Sequence, residues 1–150
     1  MIVKITSDHG GHEAKIKLAK HLKDNGYQVE LFGSNDSSTS ISYADVGIEF
    51  ANEVKKSPEA SNIKYVAFCG SGIGISIALN RFKYIRCARV SNEEEARLAK
   101  AHNNANILCM SGRLLDDKSV QNMFHAWEKV VFEEGRHIPR IEKLKEVGEE

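Results

Sequence analysis

A surplus of charge of either sign is what this sequence most plainly lacks: 21 Lys and Arg balance 21 Asp and Glu, a formal net charge of +0. Without a general positive field there is nothing to hold nucleic acid or an anionic membrane surface, so neither partner is expected. Cysteine is scarce as well. Cys69, Cys87 and Cys109 are odd in number, widely separated and form no CxxC pair, which excludes a disulfide framework or zinc knot as the organising device and makes a reducing cytoplasm the default. No apolar run approaches the roughly 20 residues of a membrane-spanning helix. The start, MIVKITSDHGG, has neither the basic leader nor the apolar core of a signal peptide. With two prolines, no internal repeat and no biased stretch long enough to be a linker, residues 1–150 read as one domain.

What is present is an alternation of apolar runs and helical patterns. Strands are expected at 2–6, 27–32, 63–69, 85–90 and 105–110. Between them, Ala14, Leu18 and Leu22 share a helix face ending near Gly26, and 44–56 and 93–102 read as helices. A polar, turn-rich loop occupies 33–40, and Ile73, Ile77 and Ala78 form a stripe after a glycine cluster. Val120, Met123, Phe124, Trp127, Val130 and Val131 repeat at helical spacing, and a charged tail helix follows Pro139. Strands alternating with helices predict a parallel sheet covered on both faces. The fold expected is a single three-layer Rossmann/flavodoxin-like α/β domain with a five-stranded parallel sheet and a C-terminal helix, in strand order 2-1-3-4-5. Such sheets bind ligands at the carboxyl ends of their strands, beside the switch in strand order. The ends of strands one and three carry TSDHGG and CGSGIG.

In CGSGIG, Gly70, Gly72 and Gly74 permit left-handed angles and let amides converge into an anion hole at a helix start. The same glycines would also serve a plain strand–helix turn. No GK[ST] follows, so this is not a Walker loop, and the match to a dinucleotide fingerprint is loose. Cys69, between strand and helix N-terminus, is placed where the dipole favours a thiolate, a base or nucleophile. Cys87 and Cys109 lie within strands and read as core. Asp8 and His9 stand at the neighbouring strand end, where Asp8 or Ser7 could equally cap the next helix. His102 and Asn103 end a helix, a place where a histidine can simply complement the helix C-terminus. Arg136 and Arg140 flank Pro139 with a histidine between them. They suit a phosphate, or solvent. Arg113 follows the last strand beside Gly112. His12, His21 and His125 read as surface or cap residues.

Together, SDHGG, CGSGIGISIALNR, HNNANIL and EGRHIPR, in this order and over nearly the whole chain, resemble the B-type ribose-5-phosphate isomerases, grouped with the galactose-6-phosphate isomerase subunits. The resemblance implies interconversion of an aldose phosphate and a ketose phosphate with no metal or organic cofactor. It implies Cys69 as the base moving a proton between C1 and C2, and Ser71 exchanging protons with substrate oxygens. The amides of Gly70, Gly72, Ile73 and Gly74 would stabilise the enediolate. By the same resemblance His102 assists ring opening with Asn103 beside it, and Asp8 binds the sugar and takes part in ring opening. Substrate contacts fall to His9, Arg113, Arg136 and Arg140, with His9 and the last two on the phosphate. It further implies a homodimer, or a dimer of dimers, whose sites take Cys69 from one subunit and His102 from the other. SYADVG departs from the family's DYPD-like stretch at Ser42 and Ala44, which bears on the sugar chosen. Ribose 5-phosphate is the expected substrate. Galactose 6-phosphate, allose 6-phosphate or non-catalytic phosphosugar binding are the alternatives.

Overall fold

Alternate residues of the third apolar run face opposite sides of the sheet, and that alternation builds two cores. The computed structural model describes residues 1–150. Its elements run β1 (Ile2–Ser7), α1 (His12–Asp24), β2 (Gln28–Gly33), α2 (Tyr43–Lys55), β3 (Ile63–Cys69), α3 (Ile73–Leu79), β4 (Cys87–Arg89), α4 (Glu93–Ala101), β5 (Ile107–Ser111), α5 (Asp117–Glu128) and α6 (Ile138–Leu144). Val66 and Phe68 join Val3, Ile5, Leu108 and Met110 beneath α1, α4 and α5. Tyr65, Ala67 and Cys69 join Ile107 and Cys109 on the other face, beneath α2 and α3. Each such fully buried aliphatic or aromatic side chain contributes about 1.5–3 kcal/mol. The chain is thus a single α/β domain of three layers, closed by a C-terminal helix. No helix is long and apolar enough to cross a membrane.

All strand pairs are parallel, in the order β2-β1-β3-β5-β4. This corrects the order expected from sequence, which put the fourth strand inside and the fifth at the edge. Burial explains the exchange. All five residues of β5 are buried, whereas the three-residue β4 is half-buried to exposed. A strand buried on both faces belongs inside, and a short one bordered by arginines belongs at an edge. As a result the turn after β5 lies beside the turn after β3. Boundaries shift as well, most widely in two elements. The fourth strand keeps only three of its six expected residues. The fifth helix stops at Glu128, leaving Val131 81% exposed.

Candidate active site

At the carboxyl ends of β1, β3 and β5 three turns are knitted together by their own backbone. The Gly112 amide donates to the Cys69 carbonyl at 2.9 Å and the Arg113 amide to the Gly70 carbonyl at 3.0 Å. Ser111 Oγ donates to the same Gly70 carbonyl at 2.6 Å and accepts from the Leu114 amide at 2.9 Å. The Arg113 guanidinium spans the two neighbouring turns: a Cβ built on Gly70 would stand 2.8 Å from its Nη1, and one on Gly10 3.1 Å from its Nη2. Arg113, Gly70, Asp8 and His9 are therefore brought to one place, as the sequence suggested.

Cys69 itself is 4% exposed. Its Sγ accepts the Gly72 amide at 3.1 Å, the contact that satisfies a thiolate better than a thiol. Gly72 is held from its other end by Cys109, whose thiol donates to the Gly72 carbonyl at 3.1 Å. The neighbouring Cys87 sulfur and then burial push the Cys109 thiol pKa well up, which keeps it a donor. Sequence reading gave Cys109 only a core role; here it props the glycine turn. Gly72 has φ +79°, and a Cβ on it would stand 3.0 Å from the Met110 carbonyl, so glycine is required on two counts.

The expected amide cradle needs one correction. The Gly72 amide is committed to Cys69, and the Ile73 amide is committed to Ser71 Oγ at 3.1 Å. Two of the converging donors thus serve the site's own side chains. Gly74 leaves room for a neighbouring ring, since a Cβ there would lie 2.6 Å from the Tyr43 ring. Tyr43 opens α2, and Ser42 Oγ caps that helix by accepting from the amides of Ala44 and Asp45 at 3.1 and 3.4 Å. The departure at Ser42 thereby has a structural account as an N-cap.

Asp8 is 7% exposed, and its Oδ1 accepts the Gly11 amide at 3.1 Å, capping the 3-10 turn His9–Gly11. The cap expected as an alternative is present, with the second carboxylate oxygen left over. His9 Nδ1 accepts the Ile41 amide at 3.2 Å, which puts the proton of the neutral ring on Nε2. Beneath this loop lies a residue that sequence reading missed. Lys15 is 1% exposed and donates to the Phe32 carbonyl at 2.8 Å and to Ser34 O and Oγ at 2.7 and 3.1 Å. Ser34 Oγ also meets Ser7 Oγ at 2.9 Å and His12 Nδ1 at 2.8 Å. A lysine early in a helix carries no sequence signal of burial.

The remaining expected residues are not at this end. His102 caps the C-terminus of α4, five residues before β5 begins. Cys69 pairs with Ser111 at the far end of β5, and Tyr65 with Ile107 at the near end. Four strand rises of about 3.3 Å, roughly 13 Å, separate those ends. His102 and Asn103 therefore lie beyond the amino edge of the sheet, and Cys69 at the carboxyl edge. Arg136 and Arg140 go with His102: His137 between them stacks on the His102 ring with centroids 4.5 Å apart. One copy of the chain carries two separate clusters of these residues. One holds the thiol, Asp8, His9 and Arg113; the other holds the imidazole and the two C-terminal arginines.

Comparison with known proteins agrees over the whole length. The sequence model of the Ribose/Galactose Isomerase family matches residues 3–144. A probable ribose-5-phosphate isomerase B of Mycoplasma genitalium is 35% identical over 140 residues, covering 93% of this chain and 91% of the relative. Among solved structures, ribose-5-phosphate isomerase B of Clostridium thermocellum superposes with a TM-score of 0.89 at 38% identity, covering 97% of this chain and 96% of that one. The Mycoplasma genitalium ribose-5-phosphate isomerase B with bound ribulose-5-phosphate has a TM-score of 0.89 at 34% identity, covering 97% and 94%. With fold, strand-end motifs and full-length similarity in agreement, this chain belongs to the ribose/galactose isomerase family of sugar-phosphate isomerases.

Proposed function

We propose that the protein interconverts D-ribose 5-phosphate and D-ribulose 5-phosphate, as a cytoplasmic homodimer whose sites each draw on both subunits. The observation that carries the reading is Cys69 Sγ facing the Gly72 amide at the switch point of the sheet, with Arg113 spanning the adjoining turns. In the open-chain aldose, the Cys69 thiolate takes the proton from C2. The C–H electron pair becomes the C1=C2 bond, and the carbonyl π pair moves to O1. Returning the proton to C1 while O2 gives up its own yields the ketose. Ser71 exchanges protons with O1 and O2, and the amides of Gly70, Ser71 and Gly74 face the enediolate. A preorganised donor of this kind lowers the barrier by about 3–4 kcal/mol.

A second copy supplies what the first holds out of reach. His102, assisted by Asn103, opens the furanose ring against Asp8, and Arg136 and Arg140 grip the phosphate with His9. The surface next to the thiol favours such an arrangement. Ile73 and Ile77 of α3 and Tyr43 and Ile48 of α2 are 51%, 55%, 47% and 47% exposed, an apolar patch of the kind that partners cover.

The test is purified protein with ribose 5-phosphate, following ketose formation with and without EDTA. Parallel kcat/KM measurements with allose 6-phosphate and galactose 6-phosphate decide between five and six carbons. Deuterium incorporation at C2 in heavy water separates a catalyst from a binder. Sharing is tested by mixing Cys69→Ala with His102→Ala chains. Random reassortment of a two-fold dimer leaves about a quarter of composite sites intact, so roughly a quarter of wild-type activity is expected. No recovery after verified subunit exchange would sink the shared site.

A further inference from the structure

The imidazole of His102 stands half-buried at a helix end, where two contacts restrain it, and neither comes from its own helix. Its ring lies on that of His137, the planes 17° apart. Its Nε2 is 3.4 Å from Glu133 Oε1, and the same oxygen is 3.7 Å from His137 Nε2. Glu133 is fastened in turn, its amide donating to the Ala101 carbonyl at 2.9 Å, one residue before His102. The next residue, Glu134, holds φ +63° and ψ −137°, a region that non-glycine residues occupy only when surrounding structure dictates it. His137 is 6% exposed, and its Nε2 has no hydrogen-bond partner.

Two imidazoles and a carboxylate invite a metal-site reading, but the stacking argues against it. A metal lies in the plane of each imidazole that binds it, and two rings nearly parallel at a centroid distance of 4.5 Å cannot aim lone pairs at one ion without turning. A buried imidazole with an unpaired Nε2, lying against a half-buried one, is instead a platform. Burial first, then the charges of Arg136 and His102, lower the His137 pKa, so the platform stays neutral beneath the ring it carries.

We infer that His137 and Glu133 are positioning residues for His102: the first supports its ring, and the second draws its Nε2–H. The inference deepens the proposed function and rests on His102 acting on substrate. Misplacing a reacting group by about 1 Å costs up to roughly a hundredfold in rate. His137→Ala should therefore lower kcat about 10- to 100-fold and leave KM within about twofold. His137→Phe keeps a flat ring and should restore turnover to within a few-fold of wild type. Glu133→Ala should lower kcat in the same way, with Glu133→Gln intermediate.

The structural readout is NMR of the histidine ring protons. The His102 resonances, shifted by the stacked ring, should relax toward free-histidine positions in His137→Ala and stay displaced in His137→Phe. A rise in KM at unchanged kcat would reassign His137 to phosphate contact and overturn the inference, as would unaltered His102 resonances in His137→Ala. Should His102→Ala itself turn over like wild type, the reading of His102 as a substrate-contacting group fails, and the ring-proton shifts still report separately whether His137 and Glu133 hold the ring.

Discussion

Replacing Lys15 by methionine tests the scaffold under the thiol cluster through its pH dependence. The ammonium sits 1% exposed among carbonyl and hydroxyl oxygens, with no carboxylate to offset its burial. Burial lowers its pKa from 10.5 to about 8. The unfolded chain therefore binds this proton more tightly than the folded one. Below pH 8 both states are charged, and the penalty for burying the charge is constant. Between pH 8 and 10.5 the folded state releases its proton first, and stability rises with pH. The full difference amounts to roughly 3 kcal/mol, and the portion gained by pH 9.5 to about 2 kcal/mol. Lys15→Met removes this titration and little else that is ionisable, so other tyrosines and lysines cancel in the comparison. Urea unfolding of both proteins at pH 7.5 and 9.5 should show wild type gaining about 2 kcal/mol on the variant over that interval. Parallel stability curves would refute the burial argument, for the charge would then be as well solvated in the fold as outside it.

Cys69→Ala should lower turnover by two to four decades, the usual worth of a positioned base, with an unchanged circular dichroism spectrum; wild-type turnover would remove the thiol from the mechanism. Gly72→Ala combines φ +79° with a Cβ 3.0 Å from the Met110 carbonyl and should destabilise by at least about 1–2 kcal/mol in urea. Glu134→Gly relieves a backbone at φ +63° that costs about 1–3 kcal/mol, against about 0.5–1 kcal/mol of added chain entropy. A net gain of about 1 kcal/mol is expected, and a loss would show that the Glu134 side chain is itself needed.

The thiol cluster was legible because its signals are local. A strand ending in Cys69, glycines at fixed offsets and an acidic–histidine pair after β1 each declare a turn at a strand end, and the switch-point rule puts both turns at one edge. Strand order was less legible: an apolar run of five residues announces burial but not which neighbours supply it, and the exchange of β4 with β5 is decided by competition between two short strands. The supports were invisible for a different reason. Lys15, Cys109 and His137 work through buried contacts with residues 19, 37 and 35 positions away in chain, and nothing in their own surroundings marks them. His21 and His125, read as surface residues, face one another at 2.9 Å across α1 and α5, another contact only the packing creates.

The separation of the two clusters follows from the topology. In a parallel sheet each helix returns the chain from the carboxyl edge to the amino edge, so a residue at the end of a crossover helix must lie opposite the strand-end turns. His102 ends α4 and Cys69 ends β3, so no side-chain rotation within one copy can bring them to a common five-carbon sugar. Either His102 takes no part, or a second chain presents it. The polar segment from Glu133 to Arg140 lies past the last core helix and clips onto the end of α4, which gathers Arg136 and Arg140 beside the imidazole. The exposed isoleucines of α3 begin at residue 73, four positions after the thiol. A partner docking there arrives directly over the Cys69 turn. On the proposed shared site, association of two copies is part of building the catalyst, and dilution below the proposed dimer's dissociation constant should extinguish turnover while leaving each chain folded. Activity per chain that stays constant through dissociation would break that link.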